Sequence, residues 1–167
     1  KVGPFAVSLV LIPIVVGAAV YGVSAGAWLG FVFGVVVTIA VVTGVDQGGY
    51  IMFSARPVMT VLVCLIKGTA AGLVAGALYR AIGKKHPLAG VIVAAAAAPV
   101  VNTGLFVLAM VLFYQPQLQA WAGGTAVATY IVTTLVGVNF LLELGVNLVL
   151  SPTITRLIAA GRKGPVD

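Results

Sequence analysis

Few residues in this chain could do chemistry, and most of those lie in apolar surroundings. Glu143 is one of three acids among 167 residues. It sits in VNFLLELGVNLVL, with Asn139 four residues before it and Asn147 four after. On a helix that spacing stacks all three side chains on one face. A carboxylate in a segment otherwise fit for lipid is costly, so it marks either a site or a buried partner. Lys67, within VLVCLIKGTAAG, is the other deeply placed charge. Two opposite charges and a few amides point to binding a polar solute within a membrane.

Catalysis fits these residues badly. His86 is the only histidine and falls in a turn beside Lys84 and Lys85. No His/Cys/Asp cluster has metal-ligand spacing, no two carboxylates are paired, and no phosphate-binding loop motif occurs. Ser54 and Ser151 have no base beside them. Neither an enzyme nor a cofactor or metal site is expected.

The elements that must position Lys67 and Glu143 follow from composition. Hydrophobic residues make up 62 % of the chain and charged residues 7 %, with a mean hydropathy of +1.22. A soluble domain carries about 25 % charged residues to wet its surface. Lipid must therefore solvate the outside of this molecule, an all-α polytopic membrane helix bundle forming a single domain. The net charge of +6 does not make a nucleic-acid binder, because the basic residues gather at loop ends and lack interleaved aromatics. Cys64 is the only cysteine; no internal disulfide can form, and its mid-segment position reads as packing.

Turn residues and charges divide the chain into five apolar runs, at about residues 5–20, 25–43, 57–79, 88–114 and 125–150. The first is short; each later run meets the ~20 residues that a helix needs to cross the hydrocarbon. Of the four connections between them, two are polar loops, one from Asp46 to Arg56 and one spelled QPQLQAWAGG. Glycines at 26, 30 and 34, and again at 68, 72 and 76, suit close approach of helix backbones in lipid. Pro99 predicts a kink in the fourth run.

Lys and Arg set the orientation. Arg80, Lys84 and Lys85 share a side with Arg156, Arg162 and Lys163, against Lys1 and Arg56 opposite. The C-terminus is therefore expected in the cytoplasm. Five spans would then start the chain outside, so a further helix is expected before Lys1, making six.

Depth can be counted. Lys67 lies thirteen residues before Arg80, and Glu143 thirteen before Arg156, which places both ~20 Å from their cytoplasmic markers. Asn102 lies fifteen residues after Pro87 on a span running the other way, or ~22 Å by the same measure. Three polar side chains from three spans thus arrive at one level. One reading is a buried Lys67–Glu143 pair with amides as interhelical glue. The other is a water-accessible pocket in which Lys67, Asn102, Thr103, Asn139 and Glu143 contact solute. Tyr50, Gln47, Tyr114, Gln115 and Gln117, in the two outer loops, could form its lid.

Three segments carry a resemblance: RPVMTVLVCLIKGTAAGLVAGALYR, PVVNTGLFVLAMVLFY and YIVTTLVGVNFLLELGVNLVLSPTI. They resemble the last three helices of substrate-binding S components of energy-coupling factor (ECF) vitamin transporters. LVLIPIVVGAAVYGVSAGAWLGFVFG resembles the second and third helices, and LIKG, PVVNTG and NFLLELGVN are closest to the pantothenate-type subgroup. The resemblance implies a six-helix subunit of the bacterial cytoplasmic membrane that captures a vitamin at its outer face. It further implies partners: a transmembrane coupling protein and two cytoplasmic ATPases, toward which the loaded subunit topples. For pantothenate, Lys67 would neutralise the carboxylate, while Asn102, Thr103 and Asn139 would hydrogen-bond. Glu143 would accept from a hydroxyl or hold Lys67. The alternatives are an S component for another vitamin or precursor, and a membrane scaffold that binds no small solute.

Overall fold

Three helices are long and apolar enough to cross a membrane in the computed structural model, which describes residues 11–161. These are α2 (Val23–Val42), α4 (Pro57–Ile82) and α5 (Pro87–Phe113). Before them stands the shorter α1 (Leu11–Tyr21); residues 5–10 of the first expected span lie outside the described residues, as does the expected helix before Lys1. The fifth span is composite. A single α turn, α7 (Val127–Tyr130), runs into a π-helical segment, Ile131–Val138, and then into α8 (Asn139–Gly161). No strand occurs among the described residues, so the chain is an all-α membrane bundle.

Both expected loops are helical. Residues Gln47–Ala55 form α3, because the Asp46 side chain accepts a hydrogen bond from Gly49 N at 3.1 Å and caps the helix start. Pro57 then opens α4 at the first helical position, where its missing N–H costs nothing. Gln115–Ala122 form α6, which ends at Gly123 in the left-handed region, φ 57°. The last helix also continues past Leu150, with Pro152 inside it rather than ending it.

Helix α2 packs antiparallel on α4 through glycine. A Cβ added at Gly34 would lie 2.7 Å from the Cys64 carbonyl, and one at Gly26 2.6 Å from the Gly72 carbonyl. One added at Gly30 would collide with the Gly68 carbonyl. Each step of four residues along α2 is met by a step of four back along α4, so both glycine series expected from the sequence serve one seam. The opposite face of α2, with Trp28, Val32, Val36 and Ile39, is exposed, as a lipid-facing surface requires.

Helix α1 contacts α2, α4, α5 and α8, and the larger apolar core forms around it. Ile14, Val15, Phe33, Ala75, Tyr79, Val91, Ala94, Ala98, Ile154 and Ile158 belong to this cluster. A second cluster lies toward the α3–α6 end, built on Met52, Met110, Tyr114 and Leu118, with Met59, Phe106, Trp121 and Tyr130 against it. Along the chain, Lys67 of α4, Asn102 of α5, and Glu143 and Asn147 of α8 fall between residues of the two clusters.

Candidate solute-binding site

Lys67 reaches the middle layer from α4. Its Nζ stands over the Phe106 ring of α5, 5.2 Å from the centroid, a cation–π contact worth ~0.5–2 kcal/mol depending on desolvation. Both residues line a small cavity whose walls also include Val37 and Val41 of α2, and Thr60, Val63 and Cys64 of α4. Asp46, Gly49 and Met52 cover it from the α3 side. One cation thus faces a mostly apolar chamber that carries a carboxylate and a hydroxyl nearer its α3 side. The volume is about 30 Å³, enough for a water molecule or so. A vitamin-sized solute can enter only if the walls move; α3, the short helix over the cavity, packs on α2 and α4, and its Met52 joins the cluster with Met110, Tyr114 and Leu118.

The rim is fixed from one side. Tyr114, fully buried, shares a 2.7 Å hydrogen bond with the Thr60 hydroxyl and donates at 3.4 Å to the Arg56 carbonyl. Thr60 in turn donates to the same carbonyl at 2.9 Å. This ties the α3–α4 junction to the end of α5. Burial pushes the Tyr114 phenol above its ordinary range, against the smaller lowering effects of its Thr60 hydrogen bond and of Arg56. Tyr114 is therefore a structural post and not an exposed lid residue; Gln47, Tyr50, Gln115 and Gln117 lie on α3 and α6, where Tyr50 is exposed.

The other expected site residues are not part of the cavity wall. Asn102 lies one turn from Phe106 on the same side of α5, farther from α6. It is 7 % exposed, and its Oδ1 has no hydrogen-bond partner. Thr103, beside it, is half-buried. Glu143 is buried and partnered, with Asn147 and Ser151 buried on the next two turns of α8; the Ser151 hydroxyl donates to the Asn147 carbonyl at 2.9 Å. Asn139 opens α8, and its side chain lies outside the described residues. No Lys67–Glu143 ion pair is among the contacts of the described residues; Lys67 rests on Phe106 instead.

Sequence reasoning missed Phe106, Thr60 and Asp46 as members of this chamber. Phe106 had a signal, its four-residue spacing from Asn102. Asp46 was hidden because its loop was not read as a capped helix.

A profile of the ECF transporter substrate-specific component matches residues 1–155. The chain belongs to that family. It is a multi-pass membrane subunit that binds substrate for a transporter, and not an enzyme; it works with an ECF membrane coupling protein and ATPases. Comparison with curated proteins and with solved structures gives no match.

Proposed function

We propose that this S component captures a small, water-soluble carboxylate, pantothenate being the best candidate, in the chamber between α2, α4 and α5. The observation that carries the reading is Lys67, whose partner in the structure is an aromatic face rather than an acid. A cation held by a ring quadrupole gains by exchanging it for a carboxylate, since charge-assisted hydrogen bonds are stronger than cation–π contacts. Phe106, Val37 and Val63 would then receive the aliphatic body. Asn102, Thr103, Asn139 and Glu143 belong to the proposal as hydrogen-bonding groups for the polar remainder.

Entry is proposed from the α3–α6 end, with that end outside and the C-terminus in the cytoplasm. Arg80, Lys84 and Lys85 at the α4–α5 turn and Arg156 toward the end of α8 support this orientation. Transfer to the cytoplasm falls to the coupling protein and the ATPases.

Native mass spectrometry of the protein gently extracted in detergent tests the reading. An adduct of pantothenate mass would establish the solute. The mass of another vitamin or precursor carboxylate would keep the class and correct the solute. A spectrum free of adducts, and unchanged by a panel of vitamins, would support a scaffold in which Lys67 and Glu143 serve packing alone.

A further inference from the structure

The end of the bundle that carries the α4–α5 turn collects positive charge. Arg80, Lys84, Lys85 and Arg156 are all exposed there. Arg156 lies between Ile154 and Ile158, which share a buried cluster with Tyr79 and Val91, so the α8 cation stands at the same end as the turn. Of the described acids, Asp46 caps α3 at the opposite end and Glu143 is buried. The turn itself is tight: a Cβ added at Gly90 would lie 2.5 Å from the Gly83 Cα. Lys85 N and His86 N both donate to the Ile82 carbonyl.

The faces that carry these cations are lipid-facing ones. Arg80 ends an exposed stripe on α4, with Leu73 and Ala77 before it at helical spacing. Arg156 ends a matching stripe on α8, after Val149 and Thr153. Leu88 and Ile92 open a third on α5, just past Lys84 and Lys85. Helix α5 packs against both α4 and α8, so its stripe runs between those that end in the two arginines. Tyr21, 79 % exposed at the α1–α2 turn, suits the membrane–water boundary at this level. A Cβ added at Gly76, one turn before Arg80, would lie 3.0 Å from the nearby Val23 Cα.

We infer that this face binds an anionic phospholipid, with its phosphate among Arg80, Arg156 and the turn lysines and its acyl chains along the α5 stripe. Orientation alone would need cations near this end, not arginines on lipid-facing stripes to either side of a third. A soluble acidic partner would meet the charges and leave the apolar residues beneath them uncovered. A zwitterionic lipid would fill the stripe equally well but bring a further cation among four. The inference holds whatever solute the chamber takes.

Delipidated protein in detergent, given equal amounts of phosphatidylglycerol and phosphatidylcholine with the same chains, tests this by native mass spectrometry. Wild type should favour phosphatidylglycerol at the first bound-lipid position at least 10-fold. Arg80→Gln/Arg156→Gln should remove most of that preference, about 5-fold per cation, while Arg80→Lys/Arg156→Lys should keep it. Both arginines are exposed, so the variants should melt with the wild type in the absence of lipid. Arg56→Gln, exposed at the opposite end, should leave the preference intact. Equal binding of the two lipids to wild type, or a preference that survives in the glutamine pair, would overturn the inference. Glycerophosphoglycerol, the headgroup without chains, should not displace the lipid at equal concentration. Displacement would overturn it too, leaving an anion site in which the apolar stripe has no part.

Discussion

The α2–α4 seam and the middle layer between α4, α5 and α8 are built from opposite materials. Along the seam, glycines bring backbone against backbone, so that a single methyl group at Gly34 would come within 2.7 Å of the Cys64 carbonyl. There is no side chain to rearrange and no room for a guest. In the middle layer, Lys67 rests on a ring, Asn102 has an unpaired oxygen, and a small cavity remains. The seam gains dispersion energy from close contact, the main cohesive force between helices in lipid. The layer gives up part of that energy for groups that can change partners. Rigidity on one side of α4 holds Lys67 at a fixed height while the other side stays adaptable.

The seam should therefore be the more fragile of the two to added bulk. Gly30→Leu is expected to destabilise the protein by at least ~3 kcal/mol through overpacking, read as lost thermal stability in detergent and faster proteolysis. Gly104→Ala is the control: nothing lies within 4 Å of a Cβ built there, and losing a mid-helix glycine should stabilise by ~0.5–1 kcal/mol. If both substitutions behaved alike, the contrast between seam and layer would be wrong.

Substitution in the layer should do the reverse, sparing the fold and removing function. Lys67→Met keeps a long unbranched side chain against Phe106 and deletes the charge. Binding of an anionic vitamin should fall at least 100-fold by isothermal titration, with the melting temperature of the solute-free protein unchanged or raised. Undiminished affinity would take Lys67 out of the site, and a large loss of stability would make it a structural partner after all.

Asp46→Ala addresses the cover. Loss of the cap on α3 should cost ~1 kcal/mol of local stability, seen as faster hydrogen exchange at Gly48 and Gly49. If α3 gates the chamber, solute association and dissociation should both quicken while affinity changes less.

Much of this was legible in the chain, and the limits have physical causes. Seven per cent charge excluded a soluble fold outright, and glycine spacing announced a close helix contact. Counting residues from the basic turns puts Lys67, Asn102 and Glu143 at one expected depth, and along α4, α5 and α8 each falls between residues of the two apolar clusters. Pairing within the layer was not legible. Helical periodicity fixes the height of a residue, but the rotation of α8 against α4 depends on packing across α5. Nor were α3 and α6 visible: their glycine, proline and polar content resembles that of loops, and the Asp46 cap and the apolar cluster beneath them decide otherwise. The π turn before α8 leaves no mark in a run of Ile, Val and Thr.

The smallest expected effect concerns the post at the rim. Tyr114 is buried, with its phenol pushed above the ordinary range of ~10 chiefly by desolvation. The folded state therefore holds this proton more tightly than the unfolded chain. The resulting stability is fully present below the unfolded pKa and is lost as pH rises from ~10 through the higher folded value. Tyr114→Phe removes the hydrogen bonds to Thr60 and Arg56, costing ~1 kcal/mol at neutral pH. It also removes this residue's part in the alkaline slope. Melting curves at pH 8 and pH 11 should converge for the two proteins as pH rises. If the gap between them stayed constant, ionisation of Tyr114 would not contribute to alkaline unfolding, and the post would act by shape alone.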